Sequence, residues 1–187
     1  PIRGYPEFYL SLENTLARNE TIRVGIVGKD EVYYTGTENY GNSLLKWSKE
    51  KEWSKQYWEK EKIRYFGYLK FEAYKRFLAD CDVFMYLSRP FVASWGLIMA
   101  MLSGCSIIAA DTPMTREVVG NAGILVDRNN SKSISDATIA ISEDSELRNK
   151  LKNLAKERAL SLFKEEDAVN QWIALMSSQT ISNVRKS

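Results

Sequence analysis

The 187-residue chain contains no histidine. Zinc sites of the Cys/His kind and a Ser-His-Asp triad are therefore excluded within it, and no metal site is expected. Cysteine is almost absent: Cys81 and Cys105 each sit beside an apolar run that reads as a strand, where a reduced thiol behaves as a small hydrophobe. No disulfide framework is indicated, and a reducing, cytoplasmic setting is expected. Net charge is nearly lacking too: 26 basic against 24 acidic side chains leave +2, so no overall field argues for nucleic acid or an acidic membrane, and the partner should be small. No apolar run approaches the roughly 18 to 20 residues that span a bilayer, and no basic leader precedes a short hydrophobic core, so the chain reads as soluble. Pro1 stands where a natural start would have Met, so further upstream sequence is expected.

What is present is a 44% hydrophobic chain, enough for one α/β domain over residues 1–177 with a polar tail over 178–187 that should fray. Tyr5, Phe8, Tyr9, Leu12 and Leu16 recur at helical spacing, with Pro6 tolerable in the first turn, predicting a helix over 5–18. A β-branched strand over 22–27 closes at Gly28. A polar, aromatic loop over 30–41 and a charged helix over 43–60 carrying Trp47, Trp53 and Trp58 follow. Strands over 63–66, 83–87, 106–110 and 124–126 then alternate with helices over 71–79, 94–103 and 113–119. Gly104 suits a left-handed helix stop, and Thr112-Pro113 an N-cap with proline at the first helical position. From Ser131 onward only helical patterns remain. The alternation predicts a doubly wound parallel sheet of Rossmann-like kind, with ligands beyond the carboxyl ends of its strands.

Two segments have the composition of an anion site. Arg3-Gly4 precedes the first helix, whose N-terminal end and a nearby guanidinium could hold a diphosphate; the alternative is a surface arginine. Residues 89–97 join a strand to a helix, with Ser94 as N-cap; the alternative is an ordinary connecting loop. Lys29 and Asp30 either reach the same cleft or form a solvated turn. Glu117 is more readily a helix-surface carboxylate than a cleft residue. The three tryptophans of 43–60 read as packing residues rather than as a stacking platform for sugars or single strands.

The run from Ser88 to Pro113 resembles the signature region of the group 1, or family 4, glycosyltransferases. There, two acidic residues separated by seven others precede Ala-Met-Ala-x-Gly-x-Pro-Val-Ile-Ala. Arg3-Gly4-Tyr5-Pro6, Ile26-Val27-Gly28, Tyr65-Phe66-Gly67-Tyr68-Leu69 and Gly123-Ile124-Leu125-Val126-Asp127 agree in order. The resemblance implies a GT-B fold, in which two Rossmann-like domains face each other across a cleft. The chain corresponds to the C-terminal one, without its first strand, and the N-terminal domain of the same polypeptide is its partner. The implied ligand is a nucleotide sugar. Arg3 and Gly4 would meet its diphosphate, together with backbone amides of Ala93, Ser94 and Trp95; Gly28, Tyr68 and Leu69 would lie near the rest of the nucleotide.

Both acidic positions of the signature are replaced, the first by Phe91 and the second by Met99. The second normally accepts hydrogen bonds from ribose hydroxyls, and a thioether accepts weakly, so its loss should cost about 1.5 to 3 kcal/mol of nucleotide binding. The resemblance implies sugar transfer with retention and without an obligatory metal or other cofactor. The fragment alone should be inactive, because acceptor-binding and catalytic residues belong to the other domain. A binding module that kept the fold and lost turnover is the alternative, and a sugar-nucleotide epimerase a weaker third.

Overall fold

The computed structural model describes residues 3–30, 43–90 and 93–184, the last seven of these as backbone only. The predicted loop therefore lies outside the described residues from position 31 onward, as does Phe91.

Helix α1 (Tyr5–Arg18) buries Tyr9, Leu12 and Leu16 along one stripe, with Ser11 and Thr15 beside them. Thr15 spends its hydroxyl on the carbonyl of Ser11 at 2.8 Å, so the stripe can carry polar side chains. Strand β1 (Val24–Val27) starts two residues later than the sequence pattern predicts. The reason is local: the side chain of Asn19 accepts from the backbone N–H of Thr21, and Ile22 donates to the carbonyl of Asn19, so these residues form a turn.

The single helix expected over 43–60 is a correction. It is broken into α2 (Leu44–Lys49), a 3-10 turn (Glu52–Ser54) and α3 (Lys55–Glu59). Ser48 and Ser54 are fully buried, and the carbonyl of Ser48 accepts from the hydroxyls of Tyr9 at 2.5 Å and Ser54 at 3.0 Å. The same carbonyl accepts from the Lys51 backbone at 3.3 Å, a tight turn bond, so side-chain donors and this turn together take the place of the helical bond that would have continued α2. Trp47 and Trp53 pack on the Tyr9 ring at 5.6 and 5.0 Å, and Trp58 donates to its hydroxyl at 3.1 Å, so the tryptophans are packing residues.

Then come β2 (Ile63–Gly67), α4 (Phe71–Ala79), β3 (Val83–Tyr86), α5 (Trp95–Leu102), β4 (Ser106–Ala110), α6 (Pro113–Val118) and β5 (Gly123–Val126). Helices α7 (Ser131–Glu143), α8 (Ser145–Leu162) and α9 (Glu165–Val184) follow, so the backbone of 178–184 continues as helix. Gly104 ends α5 at φ +78, and Thr112 and Thr115 cap α6 reciprocally.

All five strands pair in parallel, as an α/β doubly wound fold requires, but among the described residues they form two sheets rather than one: β1-β2 and β3-β4-β5. Helix α1 joins them. It starts against Leu87 at the end of β3, runs back along the strands, and delivers the chain to the start of β1; the two sheets therefore run the same way. Phe8 packs against the apolar clusters of both sheets. On the opposite face Phe77 of α4 covers Gly25 of β1 and meets Phe66 of β2, while Leu78 joins the cluster around β3 and β4. Among the described residues no strand pairing links β1-β2 to β3-β4-β5. Every residue of β4 is buried, and the core lies around it between α5 and α8 on one face and α7 on the other.

Candidate functional site

The carboxyl ends of the strands bring together most of the residues singled out in the sequence. Gly4 precedes α1 with φ +81, and a Cβ there would lie 2.3 Å from the carbonyl oxygen of Leu87. Only glycine satisfies both the left-handed backbone and this approach, so Gly4 seats the first turn of α1 on the end of β3. Gly4, the N-cap residue, has no side chain with which to cap that helix end. Arg3 is exposed beside it. The same strand leads, across residues 87–94, into α5, where the Ser94 hydroxyl accepts from the backbone N–H of Gly96 at 3.2 Å. Ala93 is half-buried and Trp95 is 81% exposed. The N-terminal end of α1, carrying positive partial charge, therefore sits at the end of β3, and the capped N-terminal end of α5 is the next element after that strand.

Gly28 and Gly67 close the neighbouring strands. Gly28 donates to the Gly67 carbonyl at 2.9 Å and accepts from the Tyr65 hydroxyl at 2.6 Å. Tyr68 beyond them stands 70% exposed and Leu69 is half-buried. Lys29 is exposed, whereas Asp30 is committed locally: its carboxylate accepts from the Ser43 hydroxyl at 2.5 Å and the Leu45 amide at 3.1 Å at the start of α2. Glu117 is not at this edge. It lies in the last turn of α6, where its carbonyl accepts from Arg158 at 2.6 Å. Met99, in the second turn of α5, is half-buried and packs against the cluster that contains Leu97, Met101 and Ile107.

Two charged pairs at this edge are not evident from the sequence. Asp111, after β4, forms a two-pronged pair with Arg116 at 2.5 and 2.8 Å, and these hydrogen bonds hold its carboxyl below the usual range. Arg128, just past β5, pairs with Glu7 in the first turn of α1, their side chains 10% and 20% exposed. An arginine two residues past a strand end was the available signal; its partner lies 121 residues away. Among the described residues no cluster of three His, Cys, Asp or Glu could hold a metal, and no helix is long and apolar enough to cross a membrane.

Parallel strands alternating with helices make this an α/β domain of the Rossmann-like class. The sequence pattern of the family "Glycosyl transferases group 1" matches residues 5–158, and the chain belongs to that family. No curated protein matches it. Among solved structures it is similar to HepE of Anabaena in complex with UDP, with a TM-score of 0.75 at 19% identity over 96% of this chain and 46% of HepE. Sucrose-phosphate synthase of Thermosynechococcus elongatus gives 0.73 at 17% identity over 97% of this chain and 43% of the synthase. The C-terminal domain of the group 1 protein LpcC from Francisella tularensis gives 0.69 at 19% identity over 88% of this chain and 81% of that domain. The chain thus spans less than half of the two longer proteins, and it has the fold of one half of a GT-B enzyme.

Proposed function

We propose that this domain binds the nucleoside diphosphate of a sugar donor at the carboxyl edge of its strands, and that the longer protein transfers the sugar to an acceptor held by an N-terminal Rossmann-like domain. The observation that carries the reading is the seating of the α1 N-terminal end on the end of β3, where a Cβ on Gly4 would meet the Leu87 carbonyl, with the N-terminus of α5, capped by Ser94, next in the chain after that strand. Membership of the glycosyltransferase family, and UDP in a relative of the same fold, support it.

In transfer the bond from sugar to diphosphate breaks, and negative charge grows on the leaving phosphate. Fixed cations and amide dipoles aimed there stabilise the transition state more than the bound donor. Arg3 and the two helix ends supply that field from this chain. Gly28, Tyr68 and Leu69 border the region for the base, and Ala93, Ser94 and Trp95 the region for the phosphates. Family membership argues for retention of configuration without an obligatory metal.

Calorimetry with UDP, GDP and ADP, each beside its parent nucleoside, tests the reading. Binding of at least one diphosphate, tighter than its nucleoside and unchanged by EDTA, is expected. Heat from none of them sinks it. No transfer by the isolated chain is expected, because half the cleft belongs to the other domain. A second reading, a nucleotide-binding module without turnover, is favoured by one observation: Met99 offers no carboxylate to ribose and packs against the core.

A further inference from the structure

The pairing of Glu7 with Arg128 has no part in the scheme above, and it lies at the helix end to which that scheme gives the diphosphate. Glu7 is the third residue of α1. A carboxylate there is favourable to the helix itself, because it sits in the positive end of the dipole, but it opposes a second anion at the same end. Arg128 reaches Glu7 from the turn after β5, and the pair is largely out of water. Its hydrogen bonding is incomplete among the described residues: Glu7 Oε2 and Arg128 Nε and Nη1 are buried without partners. A pair left in that state is an expensive way to fasten two elements. It is also not needed as a fastener. Thr15 bonds Ser135 at 3.0 Å and Arg18 pairs with Asp136 at 2.5 Å, both tying α1 to α7, and Phe8 is packed against the cluster of Leu87, Val126 and Ile134.

We propose that Arg128 is the counter-charge of Glu7, keeping the N-terminal end of α1 attractive to an anion and thereby setting the affinity for the donor diphosphate. The inference rests on the donor-site reading above. It makes Arg128 a positioning residue that acts through Glu7 and does not touch the ligand. Its signature is a sign pattern. Removing the arginine leaves a carboxylate facing the diphosphate in poorly solvated surroundings, whereas removing both charges leaves the helix end as attractive as before.

The test compares the unsubstituted chain with Arg128→Met, Arg128→Lys, Glu7→Gln and the Glu7→Gln/Arg128→Met double variant, titrated with UDP and with uridine by calorimetry. Arg128→Met should weaken UDP by about tenfold or more and leave uridine unchanged, as expected for one uncompensated charge at this range. The double variant should return UDP affinity to within about threefold of the unsubstituted chain, because the net local charge is restored. Glu7→Gln alone should not weaken UDP, and Arg128→Lys should retain most of the affinity even if Arg128→Met folds poorly. UDP binding that ignores Arg128→Met overturns this role and leaves the donor site standing. So does a double variant as weak as Arg128→Met, which marks a structural contact. No UDP binding by the unsubstituted chain overturns both.

Discussion

Gly4 and Gly104 form a matched pair for testing how the site is built. Both have left-handed backbone, at φ +81 and φ +78, but a Cβ on Gly104 meets nothing within 4 Å, whereas one on Gly4 would lie 2.3 Å from the Leu87 carbonyl oxygen and 2.5 Å from its Cβ. Substituting alanine at Gly104 carries the left-handed penalty of about 1 to 2 kcal/mol, offset by about 0.4 to 1 kcal/mol from the stiffer unfolded chain. Gly4→Ala carries the same terms plus an overlap with backbone that has no rotamer to change, typically about 1 to 3 kcal/mol. The difference between the variants in urea denaturation should therefore be about 1 to 3 kcal/mol, equivalent to roughly 2 to 4 °C in melting temperature per kcal/mol at this chain length. Relief comes from α1 moving off β3, so Gly4→Ala should also lose affinity for a nucleoside diphosphate while Gly104→Ala keeps it. Equal destabilisation by the two, or a Gly4→Ala variant that binds normally, would refute the reasoning that this contact sets the spacing of the two helix ends.

Three further outcomes are expected. Met99→Glu should tighten binding of a ribonucleoside diphosphate by about 1 to 3 kcal/mol, with most of the gain lost for 2′-deoxy and 3′-deoxy analogues; a lower melting temperature with no gain would show that the side chain serves only the core. Tyr9→Phe removes the hydroxyl that donates to the Ser48 carbonyl and accepts from Trp58, and should cost about 1 to 3 kcal/mol in urea unfolding, so a change near zero would refute its role in holding α2 and α3 on α1. Burial pushes the thiol of Cys81 up to about 11 and that of Cys105 up to about 12, above an ordinary value of 9.0. Above the ordinary value the unfolded chain sheds thiol protons that the folded chain retains, so stability is fully present below about pH 9 and falls as pH rises toward 11. Denaturation curves that do not change between those values, in a chain whose thiols are also freely modified while folded, would contradict this.

The alternation of strands and helices was legible because each element carries its own punctuation. Gly28, Gly67, Gly104 and the Thr112-Pro113 cap fall where the backbone needs them, and α1, α4 and β4 begin and end where the pattern says. What failed depends on partners distant in sequence. The helix over 43–60 breaks because the Tyr9 hydroxyl takes the Ser48 carbonyl, a competition invisible to local spacing. The division into two sheets follows from which strands are neighbours, and periodicity does not report neighbours. At the site, Ser94 was readable because an N-cap is local chemistry, and Arg3-Gly4 because they precede a helix of clear period; the left-handed backbone of Gly4 was not read. The Glu7–Arg128 pair was not, since only the fold brings its members together.

The tryptophans are distributed so that the protein's own light emission should resolve into separate reporters. Trp47, Trp53 and Trp58 are half-buried around one tyrosine ring, with Lys51 and Lys49 over two of them, so their fluorescence reads whether α2 and α3 are seated on α1. Trp95 is 81% exposed at the start of α5 and Trp172 is 64% exposed on α9. These two should emit at longer wavelength and be quenched first by acrylamide. A ligand that settles at the α5 end shields one member of that accessible pair and leaves the half-buried trio unchanged, giving an optical record of occupancy that needs no label.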